Sequence, residues 1–380
     1  MIKARISVGY GYEIHFTRSV FSIRNSVLKK IISSREGKRR HEILVFMEKK
    51  IATLHPGISD EIIRYFKSAE NISLVSAPLV MPGGEGGKNF KLIENLCRIM
   101  AGSHLCRQSF ICIVGGGAFL DTVGFAASIV HRGIRQIRIS TTVLAQNDSG
   151  VGVKNGINMF GMKNSIGTFT PPFAVINDFS FLDTLGQRDW ISGVAEAFKV
   201  AMIKDAGFFR WLCRNAGKFK SRDKAAMEKM VRRCAELHVG HIAKSGDPFE
   251  FGSARPLDFG HWSAHKLEMM SAGKIRHGEA VAIGLALDSF YAVEKGLLRQ
   301  KDFDLLTVSL ERIGFRLWSD LLLKKDRRGR LEIFSGIREF REHLGGELHV
   351  TLPNGLGRKI EVNELDEEII LNAIRHLGDK

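Results

Sequence analysis

The chain has 380 residues, of which 44% are hydrophobic and 26% are charged, the proportions of a soluble globular protein. This length is enough for two domains with separate cores. No apolar run approaches the roughly 20 residues of a membrane span. The N-terminus also lacks the continuous apolar stretch of a signal peptide. The composition therefore argues against a membrane protein and predicts a cytoplasmic location.

The net charge of +15 indicates either an anionic partner or simply a basic surface. The basic residues are spread along the chain and are not interleaved with aromatic residues, so nucleic-acid binding is not favoured. The five cysteines show neither CxxC spacing nor a dense framework. This usage predicts reduced, structural thiols.

The first half of the chain alternates between β-type and helical patterns. Strands are predicted in residues 1–20, 42–48, 72–75, 110–114, 135–142 and 174–178, and helices over 55–69, over 89–100 and after residue 117. Because residues 110–114 are apolar throughout, they indicate a strand buried on both faces, as in a parallel sheet. The pattern predicts an α/β domain that ends at a hinge near residues 182–185.

Three glycines, Gly115, Gly116 and Gly117, follow the buried strand and precede a helix. Such a turn can hold a pyrophosphate, because the backbone can approach closely and free N–H groups at the helix start face the anion. Glu48, at the end of an earlier strand, could bind ribose hydroxyls or be a solvated strand end. Asp121, in the first helical turn, could simply cap that helix.

Residues 147–167 are dense in Gly, Asn and Lys. Since Val, Ile, Met and Phe are interleaved among them, they predict a loop wrapped around a polar ligand rather than a flexible surface loop. Lysine combined with asparagine suits a phosphate group.

From residue 189 the pattern is helical to about residue 245. Helices recur to the C-terminus, with one strand predicted near residues 346–352. Glu196 and Lys199 are three residues apart on an otherwise apolar helix. They predict either an intrahelical ion pair or a buried pair with further partners.

Residues 257–282 contain three histidines and three acids, Asp258, Glu268 and Glu279. His261 and His265 share one helix face, and His277 opens the next apolar run. Two histidines on neighbouring helices can bind a divalent metal when a carboxylate comes from elsewhere in the chain. The alternative is three ordinary histidines on helix surfaces.

In this order, the motifs resemble those of the dehydroquinate synthase-like sugar phosphate cyclases over most of the chain. The matching segments are residues 83–88, 115–125, 132–133, 141–146, 148–158, 163–167, 195–199, 260–265 and 277–284. The resemblance implies a Rossmann-like parallel-sheet domain that binds NAD, over residues 1–183. It implies a mainly helical domain that binds metal and substrate, over residues 184–380. It also implies a homodimer and Zn²⁺, or Co²⁺, as the metal.

The resemblance further implies roles for individual residues. The metal ligands would be Glu196, His261 and His277. The NAD contacts would be Glu48, Glu85, Lys88, Gly115, Gly116, Gly117, Asp121, Thr141, Thr142 and Lys163, the last of these also a possible substrate contact. The catalytic and substrate contacts would be Asp148, Lys154, Asn164, Lys199, Asp258, His265, Arg341 and, in a neighbouring subunit's site, Arg132. The implied reaction eliminates phosphate from a phosphorylated sugar and closes a carbocycle, with NAD regenerated in each turnover.

The chain departs from the 3-dehydroquinate synthase of aromatic biosynthesis at three positions. Asp258 stands where that enzyme has Asn, while Ala254 and Gly240 replace the Arg and Lys associated with the substrate carboxylate. Arg255, one position along, could compensate. An Asp at position 258 resembles the pattern of the cyclases that act on sedoheptulose 7-phosphate. The segment 245–262 resembles the Ebo-type branch of the family. These differences predict a carboxylate-free sugar 7-phosphate, such as sedoheptulose 7-phosphate, as the substrate.

Three other functions stay open. One is 3-dehydroquinate synthase itself. Another is a metal-dependent polyol or glycerol-phosphate dehydrogenase, which would produce net NADH. The segment from Lys154 to Asn164 and the pairing of Glu196 with Lys199 disfavour this alternative. The third is a non-catalytic homologue that binds NAD or another metabolite, disfavoured by the presence of all the implied metal ligands.

Overall fold

The structure is a computed structural model, and it describes residues 1–4, 6, 8–34, 39–160, 162–244, 249, 256–343 and 347–379. The chain divides into two compact units. The first unit comprises Met1–Ala145 and Ser149–Thr184, and the second comprises Gln146–Asp148 and Leu185–Lys380. The short segment Gln146–Asp148 therefore belongs to the second unit although its neighbours on both sides belong to the first.

The first unit is built on a seven-stranded sheet, as far as the structure describes the chain. Its strands are β1 Glu13–Thr17, β2 His41–Glu48, β3 Ile72–Leu74, β4 Leu79–Met81, β5 Phe110–Gly115, β6 Arg135–Ser140 and β9 Ala174–Asp178. The order is β1-β9-β6-β5-β2-β3, with β4 also paired to β2, and each of these pairs is parallel. The predicted parallel sheet is confirmed.

Alternating side chains of the central strands separate into two apolar cores, one on each face of the sheet. In β2, Ile43, Val45 and Met47 belong to one core, and Leu44 and Phe46 belong to the other. This division follows from the two-residue period of a strand. It explains why the sequence of a strand covered on both faces is apolar without interruption.

Helices cover the sheet of the first unit. They are α1 Val27–Ser33, α2 Lys49–Leu54, α3 Ile58–Lys67, α4 Phe90–Gly102 and α5 Gly117–Ile129. A further short helix, α6 Val143–Asn147, leads into the segment Gln146–Asp148. The predicted helices over 55–69 and 89–100 are therefore present with slightly shifted ends.

The prediction of an irregular loop over residues 147–167 is wrong. Most of this stretch forms an antiparallel hairpin of β7 Lys154–Met159 and β8 Met162–Phe169. The hairpin packs on α5, and Ile157 is fully buried in one of the two cores of the unit. The interleaved apolar residues are thus explained by a strand that buries one side, and the glycines by close backbone pairing.

The second unit is mainly helical, as predicted, so the expected combination of an α/β part and a helical part is confirmed. Its helices are α7 Gln187–Lys204, α8 Ala206–Lys220, α9 Lys224–Lys244, α10 His261–Met270, α11 His277–Glu294, α12 Gln300–Ile313, α13 Ser335–His343 and α14 Glu367–Gly378. A hairpin, β10 Val350–Pro353 with β11 Lys359–Val362, completes the unit. The strand predicted near 346–352 therefore begins later, and residues 344–346 lie outside the described part of the chain.

Helix α11 lies at the centre of the second unit, in contact with α7, α10, α12 and α14. Two glycines allow its closest contacts. A Cβ at Gly278 would lie 2.1 Å from the carbonyl oxygen of Ser192 in α7, and one at Gly284 would lie 2.0 Å from that of Gly260. These contacts fix the start of α11 against α7 and against the start of α10. None of the described helices is both long and apolar enough to span a bilayer.

Candidate functional site

Three predicted metal ligands come together in the second unit from three different helices. Glu196 lies in the middle of α7, while His261 and His277 are the first residues of α10 and α11. One potential ligand atom from each lies within 4.8 Å of the other two. The Nε2 atom of His277 is 2.9 Å from Oε1 of Glu196, and Nε2 of His261 is 3.6 Å from the same oxygen. The geometry is that of a compact cluster of one carboxylate and two imidazoles.

Each of these two histidines is oriented by a partner on its other ring nitrogen. Nδ1 of His277 lies 3.1 Å from Oε2 of Glu268, and Nδ1 of His261 lies 3.0 Å from the carbonyl oxygen of Phe259. Because both partners are acceptors, they favour the proton on Nδ1 and leave a lone pair on Nε2. Outer hydrogen bonds of this kind are typical of metal-binding histidines.

The carboxylate of Glu196 is almost completely buried, with 2% of the residue exposed. Lys199 Nζ lies 2.5 Å from its Oε2, an ion-pair contact. A buried carboxylate beside two imidazole lone pairs fits a divalent metal with nitrogen and oxygen ligands.

Lys199 joins this cluster to a second acid. Its ammonium lies 3.3 Å from Oδ1 of Asp148, and the same oxygen is 3.2 Å from Nδ1 of His238 in α9. Burial alone would lower the pKa of Lys199, but the charges of Asp148 and Glu196 raise it above its usual value. Lys199 is therefore a permanently protonated amine at neutral pH.

The pKa values of the two acids are lowered, whereas that of Lys199 is raised. Burial alone would raise the pKa of Glu196, but the adjacent charge of Lys199 holds it well below its usual value. Burial would likewise raise the pKa of Asp148, but Lys199 and His238 lower it. Both carboxylates are consequently ionised at neutral pH, as metal binding requires of a ligand.

The other two residues predicted for this part of the site lie close by. The ring of His265 is 5.3 Å from that of His261 and 6.1 Å from that of His277, measured between centroids. Asp258 is half-buried in the turn Pro256–Asp258, and its charge also helps raise the pKa of Lys199, after the larger effects described above. Arg255 and Ala254 lie outside the described residues.

A second group of predicted residues comes together in the first unit, around Lys88. This lysine is 3% exposed, and its Nζ donates to Oδ2 of Asp121 at 2.8 Å and to Oδ1 of Asn164 at 2.6 Å. Asn164 has a φ of 53°, and its backbone N–H donates to Oδ1 of Asn158 at 2.9 Å. The hairpin thus carries Asn164 to a lysine and an acid that were predicted to contact NAD.

The glycine turn lies at the start of α5. Gly116 donates its N–H to Oε2 of Glu48 at 2.8 Å, and a Cβ at Gly117 would lie 2.3 Å from Oγ of Ser149. The N–H groups of Gly117 and Ala118 have no hydrogen-bond partner in the described part of the chain. Two free donors at a helix start, beside a position where only glycine fits, suit a phosphate group.

The remaining residues predicted to bind NAD surround these two features. Lys163 Nζ is 3.8 Å from Oε1 of Glu85. The Oγ1 of Thr142 accepts from the N–H of Ala145 at 3.2 Å. The hydroxyl of Thr141 is buried and has no partner among the described residues. The geometry leaves Thr141 available to a ligand, while Thr142 already caps α6.

Three residues predicted to contact the substrate are exposed and belong to neither of these two groups. Arg132 has a φ of 63° in the turn after α5, and Arg341 lies near the end of α13. Lys154 is exposed at the first residue of β7, where its backbone carbonyl accepts from the buried Arg138 at 3.4 Å. Their predicted roles stay predictions.

The sequence did not identify three residues that support the site: Glu268, His238 and Asp288. Glu268 was visible as an acid near the histidines, but no spacing rule connects it to His277. Asp288 is 2% exposed and accepts from the N–H of Gly260 at 2.9 Å and from Trp262 Nε1 at 2.8 Å. It therefore supports the first turn of α10, where His261 lies.

Comparisons with known proteins identify the family of the chain. The model of the 3-dehydroquinate synthase N-terminal region matches residues 78–192, and that of the C-terminal region matches residues 193–330. The 3-dehydroquinate synthase of Campylobacter fetus subsp. fetus is 34% identical over 340 residues, covering 89% of this chain and 92% of the relative. The chain belongs to the dehydroquinate synthase-like family of sugar phosphate cyclases.

Relatives within this family carry different names. The 2-epi-5-epi-valiolone synthase of Streptomyces glaucescens is 30% identical over 360 residues, covering 94% of this chain and 88% of the relative. A 2-epi-5-epi-valiolone synthase from Streptomyces hygroscopicus subsp. jinggangensis, solved with NAD⁺ and Zn²⁺ bound, matches with a TM-score of 0.87 at 24% identity. That match covers 100% of this chain and 99% of the solved one, and it concerns the fold.

Proposed function

We propose that this protein is an NAD- and metal-dependent sugar phosphate cyclase, a carbon–oxygen lyase that eliminates phosphate and closes a carbocycle. The observation that carries the proposal is the cluster of Glu196, His261 and His277, with the charged pair of Lys199 and Asp148 against it. The buried pairing of Glu196 with Lys199 disfavours a metal-dependent polyol or glycerol-phosphate dehydrogenase. Membership of the cyclase family supports the same conclusion.

Glu196, His261 and His277 would hold the metal, which we propose is Zn²⁺, with Co²⁺ as an alternative. The turn at Gly116 and Gly117, with the group around Lys88, would hold NAD. When bound, the metal would polarise a substrate oxygen, and NAD would accept a hydride and later return it, so that the reaction has no net redox change.

Lys199 is suited to hold a proton next to a substrate oxygen. Its raised pKa keeps it an ammonium group at neutral pH, so it can donate a hydrogen bond to an oxygen that gains negative charge, but it is a poor base. Asp148 fixes the position of the ammonium group, and His238 fixes Asp148. His265, beside both candidate ligand histidines, would contact the substrate phosphate. Lys154 and Asn164 keep their predicted role as substrate contacts.

We further propose that the substrate is a sugar 7-phosphate without a carboxylate, such as sedoheptulose 7-phosphate. Asp258 supports this choice, because a carboxylate accepts hydrogen bonds from hydroxyl groups but repels another carboxylate. The 2-epi-5-epi-valiolone synthase of Streptomyces glaucescens is the relative whose name fits this proposal. Arg132, exposed in the first unit, would act in the site of a second subunit of a homodimer.

The second candidate is 3-dehydroquinate synthase, which is favoured by the 34% identity to the Campylobacter fetus relative. In that case the substrate would carry a carboxylate, and a cation would be needed to bind it. Gly240 and Ala254 provide none, and Arg255 lies outside the described residues.

The experiment is to supply zinc-loaded protein and NAD with a panel of sugar phosphates, and to measure free phosphate, net NADH and the product mass. We expect phosphate release from sedoheptulose 7-phosphate without net NADH. Glu196→Gln should abolish release together with zinc binding, while Glu294→Gln, an exposed acid on α11, should change neither. Net NADH would instead identify a dehydrogenase, and release only from the carboxylate-bearing substrate would identify a 3-dehydroquinate synthase.

Failure of every sugar phosphate, with zinc and NAD both bound, would contradict a cyclase and support a non-catalytic homologue. Asp258→Asn tests the substrate assignment separately. It should reduce turnover of the carboxylate-free substrate and leave zinc content unchanged.

A further inference from the structure

The second unit contains a cavity of about 740 Å³ that is lined by none of the candidate metal ligands. Its walls come from α10, from the segment that precedes α13, from α13 itself and from α14. This volume lies within the range of small-molecule sites, which is roughly 300–1,000 Å³. The cavity is therefore large enough for a metabolite of nucleotide size.

The lining of this cavity is strongly basic. It includes six cationic side chains, Lys266, Lys324, Lys325, Arg327, Arg330 and Arg338, against three acidic ones. An excess of three positive charges within one cavity attracts anions, because the walls focus the field of the charges. A surface with charges of both signs in balance would not select an anion in this way.

Half of these cations are not neutralised by the protein. Lys266 pairs with Glu339 at 2.6 Å, Lys324 with Glu332 at 2.9 Å and Arg330 with Asp326 at 3.7 Å. Lys325, Arg327 and Arg338 make no salt bridge with any described residue. These three unpaired cations outnumber Glu367, the lining acid that pairs with none of the six cations, so a net positive charge remains for a ligand or solvent ions to compensate.

The loop that carries several of these cations has a defined structure. Asp326 accepts the N–H groups of Arg328 and Arg330 on Oδ1, at 2.8 and 3.0 Å. The N–H of Asp326 in turn donates to the carbonyl oxygen of Arg330 at 2.7 Å, and Gly329 turns the chain with a φ of 77°. Asp326, the only acid in the described loop 324–331, therefore binds the backbone of its own loop. These bonds fix the Cα positions of the cations, which reduces the entropy lost when a ligand binds.

We propose that this cavity binds a nucleoside polyphosphate, in a site separate from the candidate metal cluster. Arg327 and Arg338 would bind phosphate oxygens in the bidentate geometry that guanidinium groups favour, and Lys325 would add a point charge. Leu331, Phe334 and Leu371 also line the cavity and supply an apolar surface for a base or a sugar. The inference requires no catalytic activity, so it does not depend on the proposed function.

The test is isothermal titration calorimetry of the full chain with ADP, pyrophosphate and inorganic phosphate, at 0.15 M salt. NAD is kept in excess, so that the glycine turn is not available to the added ligand. We expect saturable binding of ADP that is tighter than that of pyrophosphate and weakens as salt increases. Arg327→Ala with Arg338→Ala should weaken ADP binding at least tenfold.

The matched control removes two exposed cations of the same unit elsewhere, Arg214→Ala with Lys218→Ala on α8, and should change the Kd less than twofold. Because all four side chains are at least partly exposed, melting temperatures should stay close to that of the unaltered chain. Equal weakening by both double variants, or no binding of ADP at millimolar concentration, would overturn the proposal. Pyrophosphate binding as tight as ADP binding would overturn the assignment to a nucleoside.

Discussion

Lys199 and Asp148 are 51 residues apart in the chain, yet Nζ of the lysine lies 3.3 Å from Oδ1 of the aspartate. The segment Gln146–Asp148 belongs to the second unit, as does α7. Its neighbour Asn147 strengthens the attachment, since Nδ2 donates to the carbonyl oxygen of Gly193 at 2.6 Å. Two consecutive side chains thus bind this short segment to α7, the helix that carries Glu196.

The first prediction concerns Lys199→Met. Removal of the ammonium leaves Glu196 and Asp148 buried without their shared cation, so the free energy of unfolding should fall by about 3–5 kcal/mol without metal. Added Zn²⁺ should restore part of this loss, because it binds the folded state. Urea denaturation with zinc or with a chelator measures both effects.

Lys204→Met is the control for this prediction, since Lys204 lies on the same helix and its contact is with His241 rather than with an acid. It should cost less than Lys199→Met and show no dependence on zinc. An equal loss in the two variants would show that the buried charges are not coupled through Lys199.

The second prediction concerns Glu268→Gln. The variant keeps all three candidate ligands but weakens the acceptor for Nδ1 of His277, which lies 3.1 Å away. Loss of such an outer partner typically weakens metal binding by about 10–100-fold. Titration of zinc against a competing chelator measures the change, and Glu294→Gln should leave the Kd unaltered. An unaltered Kd in Glu268→Gln would show that His277 is not a ligand.

The third prediction concerns Gly117→Ala in the glycine turn. The new Cβ would lie 2.3 Å from Oγ of Ser149, a distance too short for two non-bonded atoms. Such overpacking typically costs about 1–3 kcal/mol. The double variant Gly117→Ala with Ser149→Ala should recover most of the loss, because it removes the oxygen that clashes. If the two changes were additive in thermal denaturation, the predicted contact would be absent.

The fourth prediction concerns pH and Asp288. Burial raises the pKa of Asp288 to about 7, although hydrogen bonds from Trp262 and Gly260 oppose the shift. An aspartate in the unfolded chain has a pKa of about 3.9. Between these two values the folded state binds one more proton than the unfolded state, so stability must fall as pH rises from about 4 to about 7 and then level off.

Asp288→Asn cannot ionise and should therefore flatten this part of the stability profile relative to the unaltered chain. The contribution is on the order of 4 kcal/mol over the whole window. Urea denaturation at several pH values between 5 and 8 compares the two proteins. Parallel profiles would mean that Asp288 is already ionised in the folded chain at pH 5.

Much of the fold could be predicted, because the strongest signals in the sequence are local. The apolar run 110–114 is a buried parallel strand, and the glycines after it open a helix, as expected. The family assignment from the ordered motifs is also confirmed. The hairpin of β7 and β8 was missed because its glycines and asparagines are typical of loops, whereas packing on α5 stabilises strands there.

The supporting residues of the site could not be predicted, because their roles arise only from packing. Glu268 acts on a histidine nine residues away, and His238 acts on an aspartate from another part of the chain. Asp288 lies in an apolar helix, where no periodic pattern indicates that its hydrogen-bond donors are a backbone N–H and an indole N–H. The assigned roles of the implied metal, NAD and substrate residues themselves stay predictions.

The two candidate ligand histidines are hydrogen-bonded to acceptors of different origin. The partner of His261 is the carbonyl of Phe259, which every amino acid at that position would provide, whereas the partner of His277 is a side chain. Substitution can therefore alter the basicity of only one of the two imidazoles. The donor strength of the candidate metal site would change with the residue at position 268, while the other imidazole would keep its tautomer as long as the backbone at Phe259 keeps its conformation.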